Sequence, residues 1–119
     1  DLILAYDDPL GVTAAFNMNV LARINRELGG DFDLRAFRHR AWYSQPEARI
    51  EMHLESLHAQ QVCIGSERIA FERGETIHTE NSCKYTVEGF QALAARAGFQ
   101  PAACWVDGQR LFSLHYMTC

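Results

Sequence analysis

Arg49-Ile50-Glu51-Met52-His53-Leu54-Glu55-Ser56-Leu57 alternates, with Ile50, Met52 and Leu54 on one side and Glu51, His53 and Glu55 on the other. A period of two marks a strand with one face on a core and one toward solvent, so this stretch predicts a half-buried antiparallel strand. Two shorter alternating runs flank a turn at Gly65-Ser66: residues 61–64 carry Val62 and Ile64, and residues 67–72 carry Ile69 and Phe71. Upstream, residues 38–44 read as extended and stop at Gln45-Pro46. Downstream, Gly74-Glu75 marks a turn, and residues 76–85 run on as a polar segment.

Helical rhythm lies outside this block. Val12, Phe16, Val20, Ile24 and Leu28 recur every fourth residue, while Arg23, Arg26 and Glu27 fall on other faces. That predicts an amphipathic helix with the Val12-to-Leu28 stripe as its apolar face, Thr13 as a candidate cap and Gly29-Gly30 as its end. Asp33 is placed to cap a single turn through Phe37. Thr86 is placed to cap a second helix carrying Phe90, Leu93, Ala94 and Ala97, with Gly98 at the left-handed position after it. Strands around residues 102–106 and 111–117, joined at Asp107-Gly108, close the chain.

The 119 residues are 48% hydrophobic and 22% charged, an ordinary globular balance that predicts one domain or part of one. A net charge of -4, with 11 basic residues scattered among 15 acidic ones, argues against a nucleic-acid surface, which needs clustered Lys and Arg. No apolar run approaches the roughly 20 residues of a membrane-spanning helix. Cys63, Cys83, Cys104 and Cys119 form no C-x-x-C pair, and no secretion signal precedes them, so reduced thiols in a cytoplasmic protein are expected. His39, His53, His58, His78 and His115 show no H-x-x-x-H or H-E-x-x-H spacing, and no metal site is expected. The chain opens without Met in an apolar stretch, as though a preceding segment had been cut away. In such a piece, unpaired strand edges would favour self-association.

Thr79-Glu80-Asn81-Ser82-Cys83-Lys84 carries the chemistry. If extended, Glu80 and Ser82 face one space and Asn81 points away. A carboxylate beside a hydroxyl matches a neutral imidazole, which offers one N–H to Glu80 and one lone pair to Ser82. A solvated loop is the competing reading, and spacing alone leaves both open.

Three runs resemble the histidine-specific, S-adenosylmethionine-dependent methyltransferase family: residues 5–17 (Ala-Tyr-Asp-Asp-Pro-Leu-Gly-Val-Thr-Ala-Ala-Phe-Asn), residues 49–54 and residues 79–85. With the ending Trp105-Val106-Asp107 and Leu111-Phe112-Ser113-Leu114-His115, the resemblance covers essentially the whole chain. It implies methylation of the α-amine of L-histidine to the trimethylated product hercynine, the first step of ergothioneine biosynthesis. It also implies an α+β arrangement in two parts. Residues 1–85, a helix plus a mostly antiparallel sheet, would be part of the substrate-binding domain. Residues 86–119 would be the last helix and two closing strands of a Rossmann-like methyltransferase sheet.

The methyl donor, S-adenosyl-L-methionine, would be held by a glycine-rich turn upstream; no such fingerprint occurs here, so the segment alone is expected to be inactive. Position by position, the resemblance gives Glu80 and Ser82 the imidazole ring and gives the Tyr6 hydroxyl the amino-acid backbone end of the substrate. Met52 would line the pocket, although Ile50 and Leu54 on the same face equally suit a core residue. Asn81 stands where the family usually has an apolar residue. No catalytic nucleophile is implied in this segment. Two other readings stand beside this one: the same scaffold acting on another aromatic amino acid, and a free-standing, non-catalytic ligand-binding or dimerisation module.

Overall fold

A computed structural model describes residues 2–119; Asp1 lies outside them. The chain forms two compact units, one running up to Cys83 and the other Lys84–Cys119. The first contains a 3₁₀ turn (Ile3–Ala5), helix α1 (Val12–Leu28), a second 3₁₀ turn (Leu34–Ala36) and strands β1 (Phe37–Ser44), β2 (Arg49–Ser56), β3 (Gln60–Ile64), β4 (Glu67–Phe71) and β5 (Thr76–Cys83). The second contains α2 (Val87–Arg96), β6 (Gln100–Val106) and β7 (Ser113–Thr118). No helix among the described residues is long and apolar enough to cross a membrane.

In the first unit, β2 is the central strand of an antiparallel sheet in the order β1-β2-β5, and β3-β4 is a hairpin inserted between its last two strands. The alternation in β2 has the predicted sense. Ile50 and Leu54 are fully buried and Met52 is 2% exposed. A tight aromatic group completes the core: Phe32, Phe37 and Phe71 meet with ring centroids 5.5–6.3 Å apart at steep angles. The polar segment after Gly74 is neither loop nor turn; it is the edge strand β5, paired along most of its length with β2.

Helix α1 forms at the expected residues, but a different face is buried. Val12 and Phe16 are each 66% exposed and Leu28 61%, whereas Leu21 is fully buried and Asn17 only 3% exposed. The helix turns Asn17, Leu21 and Ile24 toward the sheet because its asparagines serve backbone groups there. The Asn17 amide donates to the His53 carbonyl at 3.1 Å. Asn25 exchanges two 2.8 Å bonds with the backbone of Phe32. A buried peptide group without such a partner costs about 1–3 kcal/mol, so these amides orient the helix more strongly than its apolar stripe does.

The start of α1 also differs. Thr13 does not cap it; Gly11 holds the cap position at φ 72°, without a side-chain bond. Asp8 does the work instead, its carboxylate accepting from the backbone N–H of Thr13 at 2.8 Å and Val12 at 3.0 Å. Those bonds, to Thr13 first, lower its pKa to about 2. Asp33 and Thr86 cap as predicted, accepting from Arg35 N–H and Gly89 N–H.

In the second unit, β6 and β7 pair antiparallel. Leu111 and Phe112, expected in the last strand, lie in its preceding turn, because Asp107 gathers the N–H groups of Gln109, Leu111 and Phe112 at 2.7–3.0 Å.

Leu21→Ala is expected to cost about 2–5 kcal/mol in denaturant unfolding of this chain, while Phe16→Ala stays within about 0.5 kcal/mol. Similar losses at both positions would return the Val12-to-Leu28 stripe to the buried face.

Candidate functional site

The pairing of β2 with β5 contains one irregularity. Met52 lies opposite Glu80 and His53 opposite His78, so Thr79 is a surplus residue, a bulge. Its hydroxyl donates to the Met52 carbonyl at 3.0 Å. The bulge changes the parity of the strand. Ser82 is opposite Ile50 and Glu80 opposite Met52, which puts both on the sheet face that carries the core. His78 and Asn81 are turned to the other face, where the Asn81 side-chain oxygen meets His78 Nε2 at 2.7 Å.

On the inner face, three residues singled out in the sequence come together. Glu80 borders a cavity of about 200 Å³ that is also lined by Phe16, Asn17, Val20 and Arg23 of α1. Ser82 lies further along the same face. Tyr6, just after the first 3₁₀ turn, brings its hydroxyl to 2.7 Å from Ser82 Oγ. Tyr6 is thus joined to the imidazole pair itself, whereas the resemblance assigns it to the far end of the substrate. Met52 is buried beneath Glu80 in the register and does not line that cavity.

His39, read from the sequence only as one of five non-ligating histidines, belongs to this constellation. It lies on the inner face of β1 opposite Leu54. Its Nδ1 is 2.9 Å from the Asn17 amide nitrogen and its Nε2 is 2.7 Å from the Tyr6 carbonyl. No local motif advertises it, since its partners lie 22 and 33 positions away.

The outer face carries a different cluster. Trp42, His53 and His78 stack, with centroids 4.0 and 4.4 Å apart and planes 18° and 13° from parallel. His53 Nε2 donates to Glu51 at 3.2 Å, and Thr76 donates to its Nδ1 at 3.2 Å. The Arg49 guanidinium, 2.7 Å from Glu51, and then the His53 bond hold that carboxyl below the usual carboxylate range. Ligand atoms of Glu51, His53 and His78 lie within 4.8 Å of one another, a donor set that helix-based spacing rules do not detect because it is assembled across strands. A metal ion sits near the plane of each ligating imidazole, about 2.0–2.1 Å from its nitrogen. Two rings stacked face to face and nearly parallel share no such point, so this arrangement is a stack and not a chelate. Burial pushes His53 below its ordinary pKa of 6.5, outweighing Glu51.

The profile of a family described as "Histidine-specific methyltransferase, SAM-dependent" matches residues 1–119. The chain belongs to that family. It is 47% identical over 115 residues to a histidine N-alpha-methyltransferase of Mycolicibacterium smegmatis and 46% identical to one of Mycobacterium tuberculosis. Each alignment covers 95% of this chain and 36% of the relative, so the chain spans about a third of the length of these family members.

Because the folded state disfavours protonated His53, this group's contribution to stability is full above pH 6.5 and is lost as pH falls below it. Denaturation midpoints are expected to drop between about pH 6.5 and about pH 5, before carboxylates titrate, and His53→Phe to flatten that segment. A midpoint unchanged over this window in the parent chain would remove the assignment.

Proposed function

We propose that this chain is the C-terminal part of a cytoplasmic enzyme that methylates the α-amine of L-histidine to hercynine, using S-adenosyl-L-methionine. Its share of the work is to hold the imidazole. The observation that carries this reading is Glu80 and Ser82 on one face of β5, with the Tyr6 hydroxyl on Ser82. Glu80 accepts the ring N–H, Ser82 donates to the other ring nitrogen, and recognition of both edges orients the amino-acid end toward the methyl donor. Asn81, turned to the opposite face with His78, does not bear on ring recognition.

The described residues do not fit the methyl donor itself. Their strand pairs are all antiparallel, and none of their glycines forms a glycine-rich turn from a parallel strand into a helix. We therefore assign donor binding to a preceding Rossmann-like half and derive no step through it here. In this reading residues 1–85 belong to the substrate-binding domain and residues 86–119 supply the last helix and two closing strands of the methyltransferase sheet. The isolated segment is then inactive. Four free thiols support a reducing, cytoplasmic setting. Exposed Val12 and Phe16 on α1, and Trp105, Leu114 and Tyr116 on the closing hairpin, support self-association of the isolated segment.

In the full polypeptide, methylation of histidine followed by product mass should show successive additions up to three methyl groups. Glu80→Ala should raise the KM for histidine on the order of 10–100-fold, the loss of one charge-assisted hydrogen bond. Unchanged histidine binding by calorimetry in that variant removes Glu80 from recognition, and preference for tryptophan over histidine transfers the activity to another aromatic substrate.

A further inference from the structure

We propose that Phe16 of α1 is a further substrate-binding residue, the aromatic wall that covers one face of a heteroaromatic ring held by Glu80 and limits the site to a one-ring side chain; this deepens the function proposed above and rests on it.

The apolar stripe of α1 is not one uniform surface. Val12, Phe16, Val20 and Leu28 are all at least 40% exposed, yet of these only Phe16 and Val20 border the cavity of about 200 Å³ on which Glu80 opens. Residues four apart on a helix share a face, and Arg23, three further on, continues the same line along the cavity. Asn17 and Leu21, each one position on and so turned by about 100°, point into the sheet. Phe16 therefore sits at the flank of the buried face, on the side toward Thr79 and Glu80 of β5. It takes no part in the hydrophobic core, whose aromatic members are Phe32, Phe37 and Phe71. Its apolar surface remains available to a ligand.

The other lining groups define what such a ligand carries. The Arg23 guanidinium is engaged twice by Glu27, at 3.1 and 3.2 Å. Asn17 is committed to the His53 carbonyl and to His39. The half-buried Glu80 carboxylate has no hydrogen-bond or ion-pair partner among the described residues, so the cavity presents an open acceptor. The N–H of an aromatic ring lies in the ring plane, and a ring bonded to Glu80 by that edge leaves its faces to be covered by something else. Phe16 is the one aromatic residue among those lining the cavity. Its ring supplies the offset-stacked or edge-to-face partner that an aromatic ligand favours. With Val20 it also forms the apolar border on the α1 side, so truncating it widens the space toward what a fused two-ring side chain needs.

Steady-state methylation by the full polypeptide, with Phe16→Ala, Phe16→Leu, Phe16→Tyr and Leu28→Ala, tests this. Phe16→Ala is expected to raise the KM for histidine on the order of 10–100-fold. Phe16→Leu keeps apolar bulk but no π-face and should raise it about 2–10-fold, while Phe16→Tyr keeps the ring and should stay within about twofold. Leu28→Ala truncates a similarly exposed residue of the same stripe that does not border the cavity, and should change no kinetic constant by more than about twofold. The KM for S-adenosyl-L-methionine should hold within about twofold in all four, because the wall touches the ring and not the donor. With L-tryptophan as competitive inhibitor, the ratio of its inhibition constant to the KM for histidine should fall roughly tenfold in Phe16→Ala.

A KM for histidine that Phe16→Ala leaves unchanged overturns the assignment. A rise matched by Leu28→Ala, or by an equal rise in the KM for S-adenosyl-L-methionine, overturns it too, since that marks a packing surface. A tryptophan ratio that does not fall overturns the size limit. Where Phe16→Ala fails to fold, Phe16→Leu and Phe16→Tyr decide: equal KM values for histidine in the two overturn the aromatic contact. A parent enzyme that does not methylate histidine removes the proposed function and this subsite with it, whereas an active parent with an unaltered Phe16→Ala variant removes Phe16 alone.

Discussion

A single surplus residue, Thr79, sets which side of the sheet the half of β5 that carries Glu80 and Ser82 faces. Before it, Ile77 lies opposite Leu54 on the core face and His78 opposite His53 on the outer one; after it, Glu80 and Ser82 lie opposite Met52 and Ile50. Without the extra residue the alternation would carry on unbroken, and Glu80 would share the outer face with His78. The bulge therefore delivers a carboxylate and a hydroxyl to the apolar side of the sheet, where water competes least. Such an insertion leaves a ladder carbonyl short of its partner, and the Thr79 hydroxyl supplies one at Met52. An unpaired carbonyl there would cost about 1–3 kcal/mol, which makes threonine's side chain part of the device.

Helix α1 is held by the same polar logic, and this ties the site to the stability of the unit. Asn17 satisfies the His53 carbonyl, a structural duty, and with its remaining hydrogen it orders His39. Asn25 satisfies both backbone groups of Phe32, which in turn belongs to the aromatic group with Phe37 and Phe71. Asp8 fixes the first turn of the helix two residues after Tyr6. Through His39, which bonds both Asn17 of α1 and the Tyr6 carbonyl, the placement of the helix and that of Tyr6 are linked.

These dependencies explain what could be read from the sequence. Alternation in β2, the Gly65 turn and the Asp33 and Thr86 caps were legible because each is a local rule acting over a few residues. The apolar face of α1 was misread because Val12, Phe16 and Leu28 repeat every fourth residue more visibly than Asn17, Leu21 and Ile24 do. A pattern of apolar against polar residues counts asparagine as solvent-facing, whereas Asn17 is buried with backbone and side-chain partners. The pairing of Glu80 with Ser82 was legible, since both lie beyond the bulge and obey simple alternation. The opposite facing of His78 was not, because only the register with β2 reveals Thr79 as the extra residue. His39 had no local signal at all; its meaning comes from three segments meeting.

The two faces of the same sheet differ in what they leave open, and that difference favours the inner one for the proposed recognition. On the outer face, Glu51 is committed to Arg49 and His53, and both flat surfaces of His53 are covered by Trp42 and His78. A ligand ring arriving there would have to displace a stack and an ion pair, and would replace contacts of the same kind that the protein already makes. On the inner face, Glu80 opens on a cavity bordered by Phe16 and Val20, and Ser82 Oγ lies 2.7 Å from the Tyr6 hydroxyl. An apolar wall beside a carboxylate and a hydroxyl suits a small polar heteroaromatic ring. The outer histidines resemble the substrate that the inner face is proposed to bind, but their rings are already stacked, His53 lying against both Trp42 and His78.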